Sequence, residues 1–470
     1  MPARFKAPTA NGDILAVPDF TALPKLVDAN RRLLDTSTAS VGGMPLREMR
    51  ALARRELEIP DGPLVLAGHQ PELSHPGVWA KNFALAGLAR KVGGTALNIV
   101  VDNDTLKTPS IRVPVLGAGP ESVHLEAVPF DTQTAEVPYE DRAIENEGVF
   151  RSFPDRVRAL TANWGFTPLI ADGWPDPLAR TLAAYFTKMR KDRELGWGCE
   201  NREVAVSKLT ETQAFRRFAG HVLADLPRFR DVYNASIRAY RKANRVRSAH
   251  HPAPELGANE IPFWVRTSDG RRARNDGPFK FEQLRPRALT LTLFARLCVG
   301  DFFIHGIGGG KYDEVTDAIV RDYFGTEPPA FQVLSGTLHL PLPTFPTSPD
   351  DLRRARRHGR ELHWNPQRYT PADPPDRRTL YTLLGEKSAL VANEPPRDDR
   401  PARREWFRRL QRVTQCLRPY VAPDAQLNDA LQAYMRTHVS ANAVLQRRDF
   451  AWVLYPEETL RPFLQQFLDL

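Results

Sequence analysis

Over the first sixty or so residues, apolar side chains return every three or four positions, with charged ones between them. Leu23, Leu26, Val27, Leu33 and Leu34 form one set, and Leu46, Met49 and Leu52 the next. Each set falls on one helical face, which predicts two N-terminal helices. Asp61-Gly62-Pro63 ends the pattern. Leu64-Val65-Leu66-Ala67 then runs without a polar residue between two breaks, as a strand buried on both faces does. Helical spacing resumes over 79–92, where Trp79, Phe83 and Ala86 share one face and Leu85, Leu88 and Val92 another. Gly93-Gly94 stops it, and a second apolar run covers 96–101. Strand, turn, helix and strand in succession make a βαβ unit, which implies a parallel sheet and a right-handed crossover.

Farther on, 126–137 alternates weakly and 167–171 reads as another strand. Residues 176–245 turn helical and charged, with helices predicted over 178–191, 211–225 and 228–245. His250-His251-Pro252-Ala253-Pro254 closes them, and a hairpin is expected with its leading strand at 261–266 and its turn at 268–271. A helix over 285–297, a buried strand over 301–305, a glycine-rich turn over 306–310 and a helix over 312–324 resume the sheet. Beyond Pro343, polar spacers separate amphipathic helices at 351–362, 400–417 and 424–447. On the last-but-one, Phe407, Leu410, Val413 and Leu417 form a stripe that must bury somewhere, so a homodimer through the C-terminal helices is a candidate.

Composition adds a few bounds. At 470 residues the chain exceeds one simple core, so two or three domains are expected. No run approaches the ~20 apolar residues that span a bilayer. The opening Met1-Pro2-Ala3-Arg4-Phe5-Lys6 lacks a signal-like apolar stretch, so no membrane partner and a cytoplasmic location are expected. Cys199, Cys298 and Cys416 are far apart and form no CxxC pair, so neither a zinc site nor a disulfide framework is predicted. The net charge of +9 invites nucleic acid. Its carriers, however, are mostly arginines spread among acids, as in 351–357, which puts a small anionic or phosphorylated ligand ahead of nucleic acid.

Three loops carry candidate chemistry. The first, Gly68-His69-Gln70 through His75-Pro76-Gly77, leaves a buried parallel strand and feeds a helix start. Ligands of open α/β sheets sit at such strand ends, and helix N-termini favour anions. His69 and His75 there could donate to a developing negative charge or shuttle a proton, with Gln70 binding substrate. Lys81 and Asn82 read equally well as solvated helix positions. The second loop is Asp102-Asn103-Asp104, whose carboxylates could orient an amine or act as a base, with Asn103 beside them; an Asx turn or helix cap accounts for them equally well. The third combines His305 with Gly308-Gly309-Gly310-Lys311, where backbone N–H groups and one ammonium could cradle phosphate or carboxylate. It does not satisfy the GxxxxGK[ST] pattern. Arg285, with Arg287 near a helix start, could clamp a carboxylate, and His251 with its prolines could form a lid. No GxSxG elbow exists, so a serine hydrolase of that type is not indicated.

These loops bring a resemblance with them. Gly68-His69-Gln70 through Pro76-Gly77, the following helix, and the strand ending in Asp102-Asn103-Asp104 resemble the cysteine-adding enzymes of bacillithiol biosynthesis. Arg285-Pro286-Arg287-Ala288-Leu289 is similar to a second segment of that family. The resemblance implies a Rossmann-like core of the kind shared by class I aminoacyl-tRNA synthetases and nucleotidylyltransferases. A connective insertion would split it and a helical coiled-coil element would follow. It yields the expected division: helices in 1–60, half-cores in 61–175 and 281–345, a mainly helical insertion with a hairpin in 176–280, and a helical region in 346–470. The implied activity is a ligase or group transfer joining an amino-acid carboxyl to an amine on a sugar-type acceptor. His69 and His75 would act on the reacting oxygen, and Asp102 and Asp104 on the amine. Nucleotidyl transfer, with ATP or ADP as the nucleotide, and RNA binding by a degenerate site are the alternatives. The enzymatic readings need 68–70 and 308–311 to converge at one edge of one sheet.

Overall fold

The computed structural model describes residues 5–133, 136–171, 173–174, 181–275 and 277–470. The chain divides into two compact units. Unit 1 holds Met1–Val113, Glu126–Pro341 and Arg447–Leu470, and unit 2 holds Pro114–Leu125 and Leu342–Gln446. The residues 1–60 thus belong to the core unit, and the region 346–470 is shared between the two.

Unit 1 opens with β1 (Ile14–Val17), α1 (Leu23–Thr36) and α2 (Leu46–Glu56). Next come β2 (Leu64–His69), α3 (Pro76–Lys91) and β3 (Thr95–Val100), the βαβ unit of the hydrophobic pattern. After α4 (Glu147–Thr161) and α5 (Leu182–Gly196) the chain forms β4 (Arg202–Ala205), α6 (Gln213–Ala224) and α7 (Leu226–Asn244). A small antiparallel sheet of β5 (Phe263–Arg266), β6 (Arg272–Arg274) and β7 (Leu284–Pro286) has β5 at its centre. The core resumes with α8 (Ala288–Phe294), β8 (Phe302–His305), α9 (Ile307–Asp322) and β9 (Phe331–Gly336).

The main sheet has six strands in the order β1-β9-β8-β2-β3-β4. All neighbours in it pair parallel except β1, which runs antiparallel to β9. Numbered by appearance along the chain, its five parallel strands β4-β3-β2-β8-β9 read 3-2-1-4-5, a Rossmann-like order. The chain is therefore an α/β protein with a Rossmann-like core.

Several expectations change in detail. The interval 176–280 is not only an insertion, because β4 supplies the sheet with its third parallel strand. Arg202-Glu203-Val204-Ala205 has no apolar run to betray it: β4 is an edge strand, and Glu203 binds Arg190 at 2.5 Å and Asn98 at 2.7 Å. Leu169–Ala171 is a turn of 3-10 helix instead of a strand, with Leu169 N bonded to Tyr455 O at 3.0 Å. The stretch 178–180 of one expected helix, and 134–135 of the weakly alternating segment, lie outside the described residues.

α3 is buried nearly all round, since both of its apolar faces meet protein. Its polar residues are consequently buried too. Glu194 of α5 accepts from Trp79 Nε1 at 2.6 Å and from Asn82 Nδ2 at 2.7 Å, and Arg190 pairs with it at 2.5 Å. At the opposite end of the sheet, Asp301 accepts from Arg50 at 2.5 Å, Arg54 at 2.7 Å and Leu64 N at 2.7 Å, tying α2 to the starts of β2 and β8.

Unit 2 is helical: α10 (Pro349–Trp364), α11 (Arg377–Ala392), α12 (Arg400–Leu417) and α13 (Ala422–Leu445). α10 packs on α13 and α11 on α12. The expected apolar stripe of α12 buries Val413 and Leu417 against Leu380 and Leu390 of α11, within the same chain, and leaves Phe407 49% exposed. The chain then rejoins unit 1, which ends with α14 (Glu457–Gln465). Among the described residues no helix is long and apolar enough to cross a membrane.

Candidate functional site

β2 and β8 are neighbours at the centre of the sheet, and their outgoing chains part there. From β2 the chain runs through α3 to β3 on one side, and from β8 through α9 to β9 on the other. This reversal of strand order opens a crevice at the carboxyl ends, where open α/β sheets hold ligands. A cleft of about 680 Å³ fills it, lined by the ends of β2 and β8, the starts of α3 and α9, the β5–β7 sheet and Arg448. His69, Gln70, His75, Asn103, Asp104, His305, Gly308 and Gly309 all line this one cavity, so the two distant stretches do converge.

The two loop imidazoles hold opposite tautomers. His69 Nδ1 lies 3.1 Å from the Gln70 carbonyl, which can only accept, so Nδ1 carries the proton and Nε2 keeps its lone pair. His75 is the N-cap of α3: its Nδ1 accepts from Gly77 N at 3.1 Å, leaving the proton on Nε2. Burial, then the neighbouring Lys81 charge, pushes the His69 pKa down to about 3. Burial and Arg448 push His75 down to about 4. Both rings are neutral at pH 7, one an acceptor and the other a donor at Nε2.

Lys81, for which a solvated helix position is one of two equal readings of the sequence, is 3% exposed and lines the cleft. Its ammonium donates to Gly68 O at 3.0 Å, and no carboxylate among the described residues lies within ion-pair distance. A Cβ on Gly306 would stand 4.0 Å from Nζ, which places Lys81 between the ends of β2 and β8. Burial lowers its pKa to about 8. Glu72 favours the ammonium from beyond ion-pair distance without offsetting its burial, and the natural complement of such an under-compensated buried cation is an anionic ligand.

The glycine run is not the turn the sequence suggested. Gly306 is the N-cap of α9, and Gly308, Gly309 and Gly310 form its first turn. A Cβ on Gly309 would meet His305 Nδ1 at 2.7 Å, and one on Gly310 would meet Val333 at 2.3 Å, so these glycines admit close packing. The first bond inside α9 runs from Gly310 N to Gly306 O at 2.9 Å, and no side chain caps the helix. The N–H groups of Ile307, Gly308 and Gly309 are therefore its open donors. His305 stacks on Phe303 at 4.1 Å, with Nε2 2.5 Å from Asp313. Arg296 holds Asp313 from the other side at 3.0 Å. Lys311 does not line the cleft, because the helical turn carries it past the open end.

Of the two acids after β3, only Asp104 faces the cavity. Asp102 turns away to accept from Ser207 N at 2.9 Å and Ser207 Oγ at 2.5 Å, and burial raises its pKa. A catalytic part for Asp102 in this cleft is overturned, since alternate positions on one loop point to opposite sides. Asp104 accepts from Gln70 Nε2 at 2.8 Å, Arg272 at 2.6 Å and Thr105 N at 2.9 Å. Burial raises its pKa, but Arg272 and these bonds outweigh it and hold the carboxyl below 3.8. Asn103 is buried, with Nδ2 donating to Pro286 O at 2.8 Å. Arg285 lies in β7 outside the cleft, clamped on Glu140 at 2.8 Å, so it is no ligand clamp.

Of the remaining lining residues, Arg287 stands out in the sequence with Arg285, whereas Trp264, Arg272 and Arg448 give no signal there. Trp264 is flanked by Arg272 and Arg287, each 4.7 Å from its ring. Arg448 reaches in from beyond unit 2, donating to Ser335 Oγ at 2.7 Å and Gly336 O at 2.8 Å. Lys81 had a sequence signature: it sits between two apolar faces of one helix, which forces it inside. Among the described residues no group of three or more His, Cys, Asp or Glu side chains is placed to hold a metal ion.

The start of α3 is packed without slack. A Cβ on Gly77 would lie 2.1 Å from Gly336 O and 2.9 Å from Arg448. Gly77→Ala must push α3 off β9 and is expected to cost about 1–3 kcal/mol or more. Gly308→Ala meets nothing within 4 Å and is expected to leave stability unchanged or raise it by up to about 1 kcal/mol. Thermal unfolding of the two variants side by side checks both.

No family model matches the chain, and no curated protein matches it. Among solved structures it is similar to the tyrosyl-tRNA synthetase of Archaeoglobus fulgidus in complex with L-tyrosine, at 13% identity and a TM-score of 0.26. The alignment covers 89% of this chain and 99% of that one. A likeness of that size carries no argument about the cleft, whose reading rests on its own geometry.

Proposed function

We propose that this chain is a ligase or group-transfer enzyme joining the carboxyl of an amino-acid-like substrate to an amine on a small anionic or sugar-type acceptor. That is the reaction class of the bacillithiol cysteine-adding enzymes, which its 68–104 segment resembles. The observation that carries the proposal is Lys81, a buried ammonium at the strand crossover that meets one carbonyl and no carboxylate. Together with the open N–H groups of α9 and the guanidinium of Arg448, it makes one end of the cleft receptive to an anion. Asp104, kept ionised by Arg272 and Gln70, orients the amine at the other end. The carboxyl must first be carried as a phosphoryl or nucleotidyl ester, for which the cationic end has room. As the amine nitrogen bonds to the carboxyl carbon, the C–O bond to phosphate breaks and the phosphate departs with the electron pair. The amine proton passes by way of His69 Nε2, while His75 Nε2–H and Lys81 meet the negative charge on the departing phosphate oxygen.

A phosphate-bearing group such as ATP or ADP fits the cationic end. Trp264 is already engaged by the guanidinium groups of Arg272 and Arg287, each 4.7 Å from its ring, which compete with a nucleotide base for its faces. Phosphate, pyrophosphate, ATP, ADP and amino acids, singly and in pairs, form the test panel for thermal shift and calorimetry. The proposal expects at least one anionic probe to stabilise the protein, and an amine-bearing acid to bind more tightly in its presence. If no phosphate or carboxylate probe shifts the melting temperature, the proposal fails.

The same ammonium sets a pH dependence. Lys81 is charged below about 8 and neutral above it, so anion affinity is full at neutral pH and falls as pH rises through about 8. About tenfold loss per further pH unit is expected. Calorimetric titration with pyrophosphate between about pH 7 and about pH 10 reads this directly; a flat profile would remove Lys81 from the anion site.

A further inference from the structure

Unit 2 carries a surface that the cleft does not explain. α12 holds six arginines, Arg400, Arg403, Arg404, Arg408, Arg409 and Arg412, and one acid, Glu405. Arg403 and Arg409 are engaged by Glu394 at 2.8 Å and Glu386 at 3.4 Å. Arg404, Arg408 and Arg412, four residues apart, share the outward face, are exposed, and make no ion pair among the described residues. Phe407, three residues on from Arg404 and at the end of the apolar stripe, borders that row and is 49% exposed. α10 repeats the pattern: Arg357 and Arg360 are exposed and unpaired on the face that ends in Trp364, itself 51% exposed. Arg418, just past α12, joins the two ends. Its guanidinium bonds His363 O at 3.1 Å and lies 5.8 Å from the Trp364 ring.

Among the described residues no ion pair offsets the repulsion along these rows, and Glu405 is the one acid on α12, so the face is complementary to a polyanion. Two features select the kind. Arginine forks match phosphate oxygens two at a time and stack on flat rings. An exposed aromatic within a basic row is a platform for an unpaired base. An anionic membrane would instead call for a broad apolar stripe opposite the charges. The arginine-bearing helices offer one exposed aromatic each, Phe407 and Trp364, and an exposed apolar row of unit 2, Leu427, Leu431 and Tyr434, belongs to α13. We propose that unit 2 docks single-stranded nucleic acid, with Arg404, Arg408 and Arg412 along the phosphates and Phe407 stacking a base.

The full-length protein is titrated against a fluorescent oligouridylate of about 20 nucleotides and followed by anisotropy. Five phosphate contacts, from Arg404, Arg408 and Arg412 together with Arg357 and Arg360 of α10, predict an affinity that falls on the order of a hundredfold between about 50 and about 200 mM salt. The triple variant Arg404→Gln, Arg408→Gln, Arg412→Gln is expected to keep its melting temperature and lower the salt slope by about 2. Phe407→Ala should weaken binding about tenfold and leave the slope alone. Lys81→Met, in unit 1, should leave the titration unchanged. Absence of binding at about 50 mM salt, or a triple variant that binds like wild type, overturns the proposal. So does preferential capture by vesicles of anionic lipid that oligouridylate fails to displace.

Discussion

Lys81→Met should abolish anion binding in the cleft and, at the same time, make the protein more stable. Methionine keeps most of the side-chain volume and removes the charge. The ammonium is held at a pKa of about 8 in the fold against 10.5 when free, a gap worth about 3 kcal/mol against the folded state. Losing the bond to Gly68 O gives back about 1 kcal/mol, so a net gain of about 2 kcal/mol is expected. The sign follows from proton counting. Between about 8 and 10.5 the unfolded chain binds the proton that the folded chain has released, so wild-type stability rises with pH across that window. Below about 8 the full penalty applies. The methionine variant lacks this rise, and its advantage should shrink between about pH 7 and about pH 10. Denaturant midpoints at the two pH values, alongside pyrophosphate calorimetry, make the comparison. A variant that is less stable than wild type and still binds anions would mean that Lys81 serves the fold and not a ligand.

The largest loss of stability should come from Asp301→Ala. Its carboxylate is fully enclosed and accepts from Arg50, Arg54 and the Leu64 amide. Removing it leaves the Arg50 guanidinium, 3% exposed, with carbonyl partners at Leu297 and Gly300 but no counter-charge. Burial and the Arg54 charge already lower the Arg50 pKa to about 10 even with Asp301 in place. Breaking one side of such a pair costs about 3–5 kcal/mol. Asp301→Asn keeps the shape and some bonds, and should cost less. The urea midpoint of each variant reads the effect, and circular dichroism reports whether α2 stays docked. Because Asp301 lies at the opposite end of the strands from the cleft, folded Asp301→Asn protein should bind anions like wild type. A cost below about 1 kcal/mol for Asp301→Ala would show that α2 is held by packing alone.

Runs of apolar residues and the turns between them were enough to read β2, α3, β3, β8 and the parallel sheet from the chain alone. Burial on both faces leaves a strand no polar positions, and that mark is local. The same local reading found His69, His75, Gln70, Asp104 and His305, since chemistry at the carboxyl end of a buried strand is a statement about neighbours in sequence. It failed where the partner is distant. β4 hides its strand character because Glu203 is matched by Arg190 and Asn98. Asp102 and Asp104 look equivalent as letters, yet Ser207 draws one away while Arg272 and Gln70 keep the other in the cleft. The glycines after His305 read as a turn, and the packing of Val333 and His305 makes them a helix start. Arg448 enters the cleft only because the chain returns after unit 2, and Lys81 is enclosed in the cleft only because protein closes over both faces of α3. Desolvation and long-range pairing depend on what surrounds a side chain, and that is decided by the fold.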